Sequence, residues 1–257
     1  MHTKTGLFVV STRRVAAGIC LAMLAGVLAP RASAAVLSGS LNTSPTGPID
    51  LTAEGPRDWA VWNYQQGSVN GTKTAPPSNR KTGVTPVIGD VTTLLGNARG
   101  TPNSLPTMKY SYSDGVNPTT LTSTSQGIVF DSTLNNSGSG FTFNITSGAA
   151  GVPEAVKLFL TGYGSQPTLT VSLPGVDDYS NSDVTYPATV RPVVVYTINF
   201  TPDHDGDPLT VTYRSTANDN TNANVDLQAV AVAVPEPTSL GVVALGLGAL
   251  LARRRRH

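Results

Sequence analysis

Side chains that bind soft metals or relay protons are nearly missing from this chain. It has one cysteine, Cys20, and three histidines, His2, His204 and His257, in 257 residues. Cys20 lies in an apolar N-terminal run, so the remainder has no disulfide, no thiolate nucleophile and no cysteine-based zinc site. Only His204 stands away from the chain ends, so a Ser-His-Asp triad has a single candidate base, and no Gly-x-Ser-x-Gly elbow accompanies it. Phosphate-loop and dinucleotide fingerprints are also absent. Charge is scarce at 13% of residues. Between Ala35 and Val234 nine basic residues face 15 acidic ones, a net charge of −6, which argues against a nucleic-acid partner.

What is abundant is Gly, Pro, Thr, Ser and Asn, the composition of short strands joined by turns. Apolar alternation with period two marks several strands. Phe141, Phe143 and Ile145 alternate with Thr142 and Asn144; Leu169, Val171 and Leu173 alternate with Thr170 and Ser172. Tyr196, Ile198 and Phe200, and Leu209, Val211 and Tyr213, do the same. Asp58–Trp62, Val87–Leu94, Met108–Ser113, Gly127–Asp131, Ala155–Thr161 and Asn224–Val232 read as strands less cleanly. Turn clusters such as Asp114-Gly115 and Asp205-Gly206 divide them. The expectation is all-β: one domain, a two-sheet antiparallel sandwich of jelly-roll type over 35–233, flanked by an N-terminal signal helix and a C-terminal transmembrane helix.

The ends read as address labels. Basic Lys4, Arg13 and Arg14 precede an apolar run from Val15 to Ala29, and Ala32-Ser33-Ala34 supplies small residues at Ala32 and Ala34 for signal peptidase. Residues 1–34 are therefore expected to be a secretory signal cleaved after Ala34. At the other end, 234–257 holds Pro235-Glu236-Pro237, an apolar run over 238–252, and Arg253, Arg254, Arg255 and Arg256. The prolines stay outside a helix, the apolar run enters the bilayer, and the arginines hold their end in the cytoplasm. Fifteen residues reach about 22 Å as a helix, short of the ~30 Å hydrocarbon core, so the run suits a transient stop more than a lasting anchor.

Those three C-terminal parts resemble the PEP-CTERM sorting signal. The resemblance implies export across the inner membrane, recognition of the tail by an exosortase, transient membrane attachment through 238–252, and a final place on the cell surface or in an exopolysaccharide biofilm matrix. A second resemblance spans much of 50–234. Asp58-Trp59 with Trp62, Asn79-Arg80-Lys81, Tyr110–Gly115, Lys157–Leu160 and Val225–Ala229 are similar to a jelly-roll module of secreted bacterial proteins, sometimes attached to glycan-active enzymes. That module implies carbohydrate binding. It carries a His before the second Trp and a Gly after it, where this chain has Val61 and Asn63.

Two constellations compete with bland readings. Asp203, Asp205 and Asp207 alternate, as oxygen ligands of Ca²⁺ can, yet Asp205-Gly206 also suits a hairpin turn. Trp59 and Trp62, three apart on a strand, point to opposite faces; one is expected in the core, and the other either joins it or stacks on a sugar. Arg80 and Lys81 either pair with Asp58 or hydrogen-bond that ligand. The functional expectation is a non-enzymatic matrix or surface protein with weak polysaccharide binding and no cofactor beyond Ca²⁺. A glycan hydrolase using paired carboxylates, and an adhesion protein without glycan affinity, are the alternatives.

Overall fold

Thr, Val and aromatic residues alternating along short segments favour pleated, half-buried strands, and the chain forms seventeen of them among the described residues. In this computed structural model the described residues are 34–62, 74–95, 97–99, 108–125, 127–131, 138–219 and 221–235. Residues 1–33 of the expected signal segment 1–34, and 236–257 of the expected C-terminal label 234–257, lie outside them. No helix among the described residues is long and apolar enough to cross a membrane.

The longer strands build two facing sheets. The first contains β1 (Val36–Asn42), β3 (Asp58–Val61), β5 (Asn79–Arg80), β7 (Asn97–Arg99), β10 (Ile128–Asp131), β12 (Glu154–Tyr163), β15 (Val194–Thr201) and β17 (Asn224–Ala233). The second runs in the order β14 (Tyr179–Asn181), β13 (Ser165–Ser172), β16 (Pro208–Asn218), β11 (Gly140–Thr146), β6 (Val91–Leu95) and β4 (Thr74–Ala75). All pairs in these sheets are antiparallel. The pairing of the last eight strands is nested: β10 with β17, β11 with β16, β12 with β15, and β13 with β14. This segment is one long antiparallel hairpin rolled up so that its successive pairs fall alternately in the two sheets.

Alternate side chains of the first sheet fill two different cores. Val156, Leu158, Leu160, Tyr196, Ile198, Val230 and Val232 point inward onto Phe141, Phe143, Val171, Leu209 and Val211 of the second sheet. Phe159, Val195, Ala229 and Ala231 point the other way, into a second core with Leu51, Trp59, Val61, Tyr110 and Tyr112. A small layer covers that outer face. It holds β2 (Ile49–Asp50), β8 (Tyr110–Tyr112), β9 (Leu121–Thr124) and the one-turn helix α1 (Leu51–Glu54), with β2 parallel to β8. The Asp50 carboxylate caps α1 by accepting from the Thr52 N–H at 3.0 Å.

β17 is the spine. Its second edge is shared by β3 at residues 229–232 and β10 at 224–227. Gln228 falls between them as a bulge opposite Phe159/Leu160, and its carbonyl accepts from the Trp62 N–H at 3.1 Å. The bulge lets the two halves of β17 serve different partners.

The expected strand Val87–Leu94 is displaced. β6 starts only at Val91, because the N–H groups of Val87 and Ile88 donate to the Asp58 carboxylate at 2.8 and 3.2 Å. Ile88 keeps a single bridge to Ile145.

Candidate functional site

Both tryptophans are fully buried. They do lie on opposite faces, as their spacing predicts. Trp62 enters the core between the sheets and donates to the Ala75 carbonyl at 3.2 Å. Trp59 enters the outer core, 4.5 Å from Tyr112 by ring centroid, under the β8–β9 layer. Neither indole has a free face on which a sugar could stack. The covering layer decides this, and nothing in the Trp59–Trp62 spacing announces it.

Lys81 and Asp58 are not partners. Lys81 pairs with Asp114, whose carboxylate also accepts from Trp59 Nε1 at 2.8 Å and Thr52 Oγ1 at 2.7 Å. Burial pushes the Asp114 carboxyl up, but those hydrogen bonds and the Lys81 charge more than offset it and hold it below its ordinary value. This cluster ties β3, α1 and the β8–β9 turn together, so Lys81 is engaged in structure.

Arg80 stands apart. No carboxylate pairs with it among the described residues, and it lines a cleft of about 250 Å³ with Pro77, Ser78, Asn79, Val116 and Asn117. The cleft is rigidly built around Asn79, which is 6% exposed. Asn79 Oδ1 accepts from the N–H groups of Arg80 and Val116 at 2.9 Å and of Asn117 at 3.3 Å. Its Nδ2 donates to Tyr112 Oη at 2.8 Å and to the Pro118 carbonyl at 2.9 Å. Gly115 permits this close approach, since a Cβ there would sit 2.7 Å from the Pro118 oxygen and 2.9 Å from Asn79 Nδ2. One buried amide thus fixes both walls. Asn79 was legible only as a neighbour of Arg80-Lys81; a buried Asn holding two chain segments leaves no periodic mark.

A second cleft, of about 240 Å³, is lined by Pro45, Gly47, Pro48, Met108, Lys109 and Ser123. No carboxylate lines either cleft. Buried acids elsewhere are committed. Glu154, 1% exposed, pairs with Arg57 and accepts from the Gly148 N–H. Asp226 pairs with Arg191 at 2.5 Å, and the Arg191 guanidinium lies 5.4 Å from the Tyr163 ring centroid.

Asp203–Asp207 is the turn joining β15 to β16, with Gly206 at φ +76°. Asp205 Oδ1 accepts from the Ala150 N–H at 2.7 Å, and Asp207 Oδ2 from the His204 N–H at 2.9 Å. These bonds aim two of the three carboxylates at backbone in different directions. Among the described residues no three His, Cys, Asp or Glu side chains gather as a metal site. Of the residues expected to form the terminal labels, Ala34, Val234 and Pro235 are described, and all three are exposed; Ala32, Glu236, Pro237 and Arg253–Arg256 are outside the described residues.

No family model matches the chain, and no curated protein does. Among solved structures, the enzymatically active domain of bacteriophage CBA120 tailspike protein 4 is similar over 75% of this chain and 21% of that one, at 10% identity and a TM-score of 0.36.

Proposed function

We propose that this is an exported, exosortase-sorted protein of the cell surface or extracellular matrix, whose sandwich is a non-enzymatic scaffold that contacts polysaccharide weakly through the Arg80 cleft. The observation that carries the reading is the cleft itself. It joins a cation without a carboxylate partner among the described residues to amide and apolar walls. Export and sorting rest on the terminal sequence labels: the Ala32-Ser33-Ala34 site, and Pro235-Glu236-Pro237 with its apolar run and Arg253–Arg256. The jelly-roll reading of the sandwich is supported by the nested pairing of β10–β17, which is a rolled hairpin of eight strands.

A glycan array and a reducing-sugar release assay on the full chain test the binding half. Binding without turnover is expected; product release overturns the non-enzymatic reading, and silence on the array leaves adhesion without glycan affinity. For the sorting half, an epitope tag after His257 should be absent from the surface-exposed protein. Its persistence there overturns processing of the tail.

A further inference from the structure

Basic side chains are few in this acidic body, and four of the nine are spent on ion pairs. Arg57, Lys81, Lys157 and Arg191 pair with Glu154, Asp114, Glu54 and Asp226. Arg80 has no such partner among the described residues, yet its backbone is pinned by Asn79 at the wall of a cleft. A guanidinium carried on a fixed stretch of backbone beside a concave site favours an anion.

The donors left in the cleft decide which anion. The N–H groups of Arg80, Val116 and Asn117 all donate to Asn79 Oδ1. No nest of backbone amides therefore remains for a phosphate or sulfate, which needs several donors. The one charged donor among the lining residues is the planar fork of Arg80, the match for a carboxylate held through both oxygens. Pro77 and Val116, the latter 59% exposed, add apolar wall for the C–H face of a ring. At about 250 Å³ the cleft falls below the roughly 300–1,000 Å³ of pockets that enclose drug-sized ligands, so it accommodates one residue of a chain.

We infer that the Arg80 cleft recognises the carboxylate of a uronic acid residue in an acidic polysaccharide. This rests on the polysaccharide reading of the same cleft. The net charge of −6 repels a polyanion at long range, so each contact is weak and a polymer carrying many carboxylates compensates by repetition.

The test is retention of the full chain on immobilised polygalacturonate and on the same polymer with its carboxyls reduced to alcohols. Retention should fall about tenfold or more on the reduced polymer, and Arg80→Gln should lose about tenfold on the polyuronate, the size of one charge-assisted bidentate contact. Arg80→Lys keeps the charge without the fork and should lie between. Arg214→Gln, an exposed cation on β16, should behave as the natural chain. Circular dichroism checks that each variant folds, and Arg80→Lys decides if Arg80→Gln does not. Equal retention on both polymers, with no effect at Arg80, overturns the carboxylate inference and leaves polysaccharide binding standing. No retention on either polymer overturns both. An equal loss in Arg214→Gln reduces the contact to general charge attraction and overturns the site.

Discussion

Half-buried Asp114 ties the outer layer together. Its carboxylate is the common acceptor for Lys81, Trp59 and Thr52, three residues from three segments. Asp114→Asn removes the charge and swaps an acceptor oxygen for a donor facing donors, which should cost about 2 kcal/mol at neutral pH. The folded carboxyl lies below its ordinary value, so its contribution is complete above about pH 4 and is lost as pH falls through the folded value. Urea midpoints should therefore separate the two proteins at pH 7 and draw together as pH falls below the ordinary carboxyl range; a constant gap contradicts the assignment. In the sequence this residue reads only as the first half of an Asp-Gly turn. Hydrogen bonds between residues about 30 to 60 positions apart leave no local pattern, whereas the opposite facing of Trp59 and Trp62 follows from strand geometry alone.

At the scale of elements, the strands with clean alternation are legible because one face is buried and the other is not. β11, β13 and β16 fall where Thr and Ser alternate with Phe, Leu, Ile and Val, while β15 alternates only over Tyr196–Phe200. β17 is buried along nearly its whole length because it has cores on both sides, so its alternation is blurred. Two-residue pieces such as β4 and β5 are too short to carry a period at all. Where strands meet most closely, side-chain size is limiting. Gly140 starts β11 at a register shift against β6, and a Cβ there would come within 2.1 Å of the Tyr213 carbonyl oxygen. Gly140→Ala should destabilise the protein by about 1–3 kcal/mol or more through forced separation of β11 from β16. A thermal melt checks it, and an unchanged midpoint rules out the close approach.

Across the whole molecule, both cores contain buried phenols. Tyr110 donates to Gln228 Oε1 at 2.6 Å in the outer core, while the Tyr186 and Tyr213 hydroxyls meet at 2.9 Å between the sheets. Burial pushes all three well above the ordinary value of 10.0. A group that holds its proton more tightly when folded stabilises the fold below its unfolded pKa and loses that contribution as pH rises. Stability should thus decline above about pH 10, and these three phenols should ionise only together with unfolding. Ionisation of all eight tyrosines with the fold intact contradicts this. The strand register carries one more consequence. Ser38, Asn199, Ala155 and Ala233 form a single row across β1, β15, β12 and β17. The first strand therefore begins, and the last one ends, at the same rim of the sheet, three strand spacings or about 14 Å apart. A body whose two chain ends leave side by side can be moored to one bilayer at both ends without unfolding, like a boat tied bow and stern to the same quay. Severing both lines would free it without disturbing a strand.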